Sequence, residues 1–291
     1  MTIPLRNDRI GGPGRPSDID ADEARWLAWH EASVHGMIGR EVRDLGDAVM
    51  LYDPSDREPF WNRIAGFDWP EATGAFDRRL AEALALFGGL DRIPHFWPSP
   101  GFDTPPDLAT RLLANGFEDV GAGMLMILDP DRVGAAVPIP DGGGEQVTLE
   151  RIHRAVGSDA IDAAEAIAAV VADSFAIEPD RVGAIVEETL VLLGRDEFHA
   201  SLIRIDGEPA AIARRTTFAG ASYLSSIGTR PRFRGLGLGK FVSDVALRDA
   251  LAAGSHWTYL GVFAENDVAR RMYEQLGFVP LGEPGPDLIL R

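Results

Sequence analysis

The run Arg234-Gly235-Leu236-Gly237-Leu238-Gly239-Lys240 constrains the fold of this chain more than any other stretch. It follows a strand-like segment, Ser222 to Gly228, and opens an amphipathic helical one, Leu238 to Ala253. The chain must therefore pass from strand to helix through a tight Gly-rich turn. Glycines there let the backbone approach a ligand, and the first N–H groups of the helix, with its dipole, favour an anion. The surrounding charge points the same way. From Pro209 to Ser243 there is no Asp or Glu, although the chain holds 45 acids against 28 bases and a net charge of −17. The same stretch carries Arg214, Arg215, Arg230, Arg232, Arg234 and Lys240, the last being the sole lysine, and is expected to form a polyanion pocket. Other phosphate loops fail on single positions. A P-loop needs Ser or Thr where Phe241 stands, and a dinucleotide loop starting at Gly235 needs glycine where Lys240 stands. A second copy of the pattern, Arg9, Gly12 and Gly14, is discounted because Pro13 and Pro16 break any following helix.

At 291 residues the chain is long enough for two domains of roughly 150 residues each. The most linker-like stretch, Asp129 to Gln146, contains Gly142-Gly143-Gly144 and three prolines. The expected organisation is a flexible N-terminus at 1–20, a first domain at 21–135, a linker at 136–145 and a second domain at 146–291. In the second domain the periodicities predict strand Val147 to His153, helices Ser158 to Ser174 and Pro179 to Leu193, and strands Phe198 to Ile205, Ala210 to Phe218 and Ser222 to Gly228. Helix Leu238 to Ala253, strand Trp257 to Phe263, helix Asp267 to Leu276 and a strand from Phe278 follow. This is an α/β fold with a mixed, mostly antiparallel twisted sheet flanked by helices. The first domain predicts helices Ala21 to Met37, Gly74 to Phe87 and Pro105 to Ala114, with strands Ala48 to Leu51, His95 to Trp97 and Phe117 to Leu128. Each domain ends alike, a helix stopping at Gly116-Phe117 or Gly277-Phe278, which suits two copies of one fold.

Composition excludes several classes. The absence of cysteine removes disulfides, thiolate metal sites and a Cys nucleophile, and no metal site is expected. The negative charge opposes broad contact with nucleic acid or anionic membrane, and no apolar run approaches a membrane span. No export signal is legible, so a cytoplasmic protein is expected.

The second domain resembles the GNAT (Gcn5-related N-acetyltransferase) superfamily. The resemblance runs from Leu224 to Phe278 and is carried by Gly228-Thr229, Arg234 to Lys240, Leu260 to Asn266, and Tyr273 to Phe278. It implies that acetyl-CoA is the acyl donor, with Arg234, Gly235, Leu236, Gly237, Leu238, Gly239 and Lys240 around its pyrophosphate. It also implies that Gly228 and Thr229 bond the pantetheine arm, that Asn266 contacts the same arm, and that Tyr273 is the general acid at the sulfur. The strand carrying Gly228 and the strand Tyr259 to Val262 would splay to admit the cofactor. The acceptor would be the primary amine of a small molecule or peptide. Asn266 and Tyr273 stand seven residues apart, two helical turns, and share a face. Asn266 also suits the N-cap of a helix beginning at Asp267, and Tyr273 a half-buried core position.

The chain departs from the family where many members carry a glutamate base before the Gly-rich turn. Here that strand offers Tyr223, Ser225 and Ser226, while Glu197, His199 and Glu265 are the other candidates. The missing base leaves open a non-catalytic acyl-CoA sensor or scaffold. The first domain resembles a degenerate copy of the fold. Leu112 stands where Tyr273 would align, and the aromatic runs Phe60-Trp61-Asn62 with Trp69, and His95-Phe96-Trp97, either wall an acceptor pocket or form core.

Overall fold

A computed structural model describes residues 12–291. In chain order its elements are α1 (Ala21–Gly36), β1 (Glu41–Asp44), β2 (Val49–Tyr52), β3 (Arg63–Ala65), α2 (Thr73–Gly89), β4 (His95–Trp97), α3 (Leu108–Ala114) and β5 (Glu118–Leu128). There follow β6 (Val147–Ile152), α4 (Gly157–Phe175), α5 (Val182–Leu193), β7 (Phe198–Ile205), β8 (Glu208–Phe218) and β9 (Ala221–Thr229). The chain closes with α6 (Leu238–Ala252), β10 (Trp257–Phe263), α7 (Asp267–Gln275), β11 (Phe278–Pro280) and β12 (Gly285–Ile289). The long periodic segments form where the residue pattern places them. Strands β1, β3 and β12 have three to five residues each, too few to show a period.

These strands make one mixed sheet in the order β1-β2-β3-β4-β12-β5-β10-β9-β8-β7-β6, with β11 paired to β5. Its halves exchange their last strands. β5, from the first half, pairs antiparallel with β10, setting Ile127 opposite Tyr259 and Gly123 opposite Phe263. β12, from the end of the chain, lies between β4 and β5. Neither half therefore satisfies its edge without the other. The order β3-α2-β4-α3-β5 recurs as β9-α6-β10-α7-β11, and each set contains one parallel pair, β3 with β4 and β9 with β10. Gly116 and Gly277 both take left-handed φ, +90° and +101°, at the ends of α3 and α7.

Further contacts bind the halves. His30 of α1 is fully buried, stacked on Phe218 with ring centroids 4.0 Å apart. Its Nδ1 lies 2.7 Å from the Tyr259 hydroxyl and its Nε2 lies 3.2 Å from the Phe218 carbonyl. Burial pushes the imidazole down to about 4, so at neutral pH it is uncharged, donating from Nε2 and accepting at Nδ1. The expected flexible segment 1–20 lies partly outside the described residues, as does Arg9. From residue 12 onward the chain is held: the Gly14 N–H donates to the His256 carbonyl at 2.9 Å, and Ile19 is buried in the cluster around Trp257. Within the linker, the Val137 N–H donates to Asp244 of α6 at 2.9 Å. Among the described residues no helix is long and apolar enough to cross a membrane.

The exchanged strand should matter to the whole molecule. Leu288 of β12 is fully buried in the first half's core, so Leu288→Ala is expected to cost about 2–5 kcal/mol, whereas Leu113→Ala, at a half-exposed position, stays within about 0.5 kcal/mol. Urea denaturation of the two variants measures the difference.

Candidate active site

Parallel pairing of β9 with β10 runs from Ala221 opposite Trp257 to Leu224 opposite Leu260 and stops there. On β9 the next residues form a bulge. Ile212 faces Gly228 and Arg214 faces Ser225, which leaves Ser226 and Ile227 opposite Ala213 alone, with Ser226 at φ +48°. A bulge bends its strand and re-aims the side chains around it. Beyond this point the strands part and a cavity of about 300 Å³ opens. Leu224, Ser225, Ser226 and Ile227 line it from β9, Leu260 to Phe263 from β10, and Asn266, Ala269 and Tyr273 from the α7 side. Its opposite wall comes from the first half, through Ala24, Ala28 and Glu31 of α1, Phe60, Ala65, and the segment Trp97 to Ser99 with Phe102.

The Gly-rich turn lies just past the splayed end of β9. Gly235 and Gly237 take φ of +84° and +78°, conformations that strain any other L-residue, and Gly237 is the N-cap of α6. The N–H groups of Gly235, Leu236, Gly237, Leu238, Gly239 and Lys240 have no acceptor among the described residues. Six consecutive free donors at a helix start suit a diphosphate. Arg234 spans from the Thr229 carbonyl to the Ser174 carbonyl, both at 3.2 Å, and Lys240 contacts Gln275 at 2.8 Å. Neither has a carboxylate partner among the described residues, so no acid there neutralises either charge. A Cβ at Gly228 would meet Ser174 of α4, and a Cβ at Gly239 would lie 3.2 Å from Thr229 Oγ1, so strand end and helix start are packed closely.

Four of the six bases in the acid-free segment are engaged elsewhere, which corrects the picture of one continuous polyanion pocket. Arg214 is buried against α5, donating to Thr189 at 2.9 Å, and burial pulls its pKa down to about 10. Arg215 donates to Thr217. Arg230 is paired with Asp173 and Glu208, and Arg232 with Glu208. The acids lie outside the segment in sequence but beside it in space.

Asn266 caps α7, accepting the Ala269 N–H at 3.1 Å, and it also borders the cavity. Tyr273 is buried, and its hydroxyl has no hydrogen-bond partner among the described residues. Burial pushes its phenol well above the ordinary value, so it stays protonated. Tyr223 is similar: it lines the cavity, its hydroxyl has no partner among the described residues, and burial with the nearby Glu31 charge raises it. Glu197, His199 and Glu265 are not in the lining. His199 stacks on His153 at 4.2 Å, and burial, with Arg215 and His153 adding to it, lowers it to about 4.

The first half supplies a charged element with no motif to announce it. Both oxygens of Glu31 accept from Arg63 Nη2 at 2.7 Å, and His35 Nε2 lies 2.9 Å from Oε1. Burial works to raise the Glu31 carboxyl, but Arg63 and His35 outweigh it and hold it at about 2. The Arg63 guanidinium lies 4.1 Å from the Trp97 ring centre and 4.5 Å from that of Phe60. Of the aromatic runs, Phe60 and Trp97 line the cavity, whereas Trp69 and Phe96 are core and Asn62 bonds backbone around Asp53. Leu112 is fully buried in the first half's core.

Residues 161–278 match the acetyltransferase (GNAT) family. A mycothiol acetyltransferase of Beutenbergia cavernae is 31% identical over 243 residues, covering 81% of this chain and 68% of that protein. A mycothiol acetyltransferase of Nocardiopsis dassonvillei is 37% identical over 73 residues, 25% of this chain and 19% of that protein. Among solved structures, a GCN5-related N-acetyltransferase from Kribbella flavida superposes with a TM-score of 0.66 at 23% identity, covering 91% of this chain and 95% of that one. A tandem GNAT protein from the clavulanic acid biosynthesis pathway gives 0.59 at 14% identity, covering 96% of each. The chain is thus an acyltransferase. More particularly, it belongs to the GNAT family of acetyltransferases.

The segment Pro98 to Asp103 that walls the cavity is anchored by Asp103, whose carboxylate accepts the N–H groups of Ser99 at 2.6 Å and Phe67 at 3.0 Å. Burial pushes this carboxyl up to about 7 from 3.8, against the opposing pull of those N–H groups and Arg25. The folded state therefore holds the proton more tightly than the unfolded one, and this contribution to stability is full below about pH 4 and lost as pH rises to about 7. Asp103→Asn is expected to flatten that part of the stability profile, as read by urea denaturation at pH 4.5, 6 and 8.

Proposed function

We propose that the chain transfers the acetyl group of acetyl-CoA to the primary amine of a small-molecule acceptor by direct attack, with no acyl-enzyme. The six free N–H groups at the start of α6, flanked by Arg234 and Lys240, carry this reading, since they present a diphosphate site beside a cavity that holds a protonated phenol. Acetyl-CoA supplies the acetyl thioester. Gly235 to Lys240 would hold its diphosphate, and Gly228 and Thr229 its pantetheine arm along the end of β9. Asn266 would border the same arm. Tyr273 would donate its proton to the sulfur as the C–S bond breaks and the amine nitrogen bonds the acyl carbon. The proton shed by the nitrogen returns the phenolate to phenol through water.

A small molecule fits better than a peptide because the cavity is walled by both halves. Two relatives bear the name mycothiol acetyltransferase, which also favours a small-molecule acceptor. The first half, a degenerate copy in this reading, shapes that acceptor wall. No Gly-rich turn precedes α2, where Trp69-Pro70-Glu71-Ala72 stands, and Leu112 replaces a phenol, so it holds no acyl donor of its own.

One acetyl-CoA per chain is expected in titration calorimetry, and two comparable sites would overturn this division of labour. Tyr273→Phe is expected to leave acetyl-CoA affinity unchanged and to lower kcat about 10²-fold in a thiol-release assay. An unchanged kcat would remove Tyr273 from the reaction.

A further inference from the structure

An ammonium group cannot attack an acyl carbon until it loses a proton, and β9 carries no carboxylate to take it. Among the described residues two carboxylates line the cavity, Glu31 and Glu283, and no Lys or Arg does. Glu31 is committed: both its oxygens are occupied by Arg63 and His35. Held at about 2, it is also a poor acceptor for an amine's proton. Glu283 lines the cavity from an exposed position and has no hydrogen bond or ion pair among the described residues, so no partner there compensates its charge.

The backbone that carries it is nevertheless held in place. Glu283 sits in the connection from β11 to β12, between two glycines pressed on the first half. The Leu281 N–H donates to the Leu125 carbonyl at 2.9 Å. Gly282 takes φ +72°, and a Cβ there would lie 3.0 Å from both the Pro100 carbonyl oxygen and the Phe102 ring. A Cβ at Gly285 would collide with the Pro98 carbonyl oxygen. The segment beneath, Pro98 to Phe102, is the one anchored by Asp103. Strand exchange thus delivers a carboxylate from near the end of the chain to the wall of the cavity that the first half supplies.

We propose that Glu283 is the residue that receives the acceptor's ammonium group and removes its proton. This rests on the amine-acetylation reading above. The ammonium gives one proton to the Glu283 carboxylate, which passes it to solvent. The neutral nitrogen bonds the acyl carbon, the C–S bond breaks, and the sulfur takes the Tyr273 proton; the second nitrogen proton restores Tyr273 through water. The charged and titratable groups around this path are Glu31 with Arg63 and His35, Asp103 with Arg25, and the phenols Tyr223 and Tyr273. The lining also defines the substrate class. With Phe60, Trp97, Met124, Leu125 and Val262 as walls and no cation to pair an anionic group, it fits a primary amine on a largely apolar body and disfavours an amino acid bearing a free carboxylate.

The test begins with full-length protein and a panel of phenethylamine, hexylamine, glucosamine and phenylalanine as acceptors. With the best of these, Glu283→Gln is expected to lower kcat/KM about 10²-fold at neutral pH, and Glu283→Asp to restore part of it. In the Gln variant the rate should keep rising with pH to the amine's own pKa, where the unmodified protein levels off earlier. Calorimetry of the same amine into the CoA-bound protein should show affinity about tenfold weaker in Glu283→Gln. An unchanged pH profile and amine affinity, with Tyr273→Phe still impaired, would overturn the role of Glu283 and leave acyl transfer standing. Preference for phenylalanine over phenethylamine would overturn the substrate class. If acetyl-CoA binds and no amine is acetylated, the amine reading and Glu283 fall together.

Discussion

The loss of backbone pairing between β9 and β10 beyond Leu224 and Leu260 is the constraint on which the rest of this molecule depends. A sheet that opens in its middle exposes two strand edges, each with unpaired amides and carbonyls, and such edges are stable only if something else covers them. On the β10 side, β5, borrowed from the first half, keeps the other edge of the strand paired. On the β9 side the bulge at Ser226 and Ile227 turns the strand away while β8 keeps its other edge paired. The opening is then a groove with a closed back wall. Exchange of β5 and β12 is what lets the sheet stay continuous while the groove stays open.

Charge is distributed around that groove with the same economy. At its wall Glu31 and Arg63 neutralise one another, with the Arg63 guanidinium over the rings of Phe60 and Trp97. Removing one partner of such a pair leaves an uncompensated buried charge, so the pair behaves as one structural unit. The bases near the Gly-rich turn divide similarly, Arg230 and Arg232 being paired with Asp173 and Glu208, whereas Arg234 and Lys240 have no carboxylate partner among the described residues. In a chain at −17 this leaves two bases without a carboxylate partner near a cavity at which, among the described residues, the unpaired charge is the carboxylate of Glu283. An anionic donor and a cationic acceptor would thus be drawn to different ends of one groove.

Much of this was legible from residue order alone. Gly235 to Lys240 had to form a turn entering a helix, Gly116 and Gly277 had to end helices in a left-handed conformation, and Asn266 and Tyr273 had to share a helical face. Each is a local matter, set by φ preferences and the helical repeat over a few residues. What residue order misjudged was equally physical. Arg214 and Arg230 were grouped by proximity in sequence, but a strand alternates its faces, and the acids that neutralise Arg230 arrive from α4 and β8. The segment after Gly12 looked loose because it has no period, yet Gly14 and Ile19 pack on and around Trp257, more than 200 positions away.

The sequence by itself determined the βα turn with its free amides, the phenol on α7 and the repeated order of elements, because these depend on neighbours along the chain. Only the tertiary structure decided which carboxylates reach the groove. Glu31 lies on an ordinary helix and Glu283 on a short connection, with no spacing or motif to mark either. They meet one cavity because strand exchange brings residue 283 against residues 98–102 of the other half, a long-range packing outcome that no local pattern encodes.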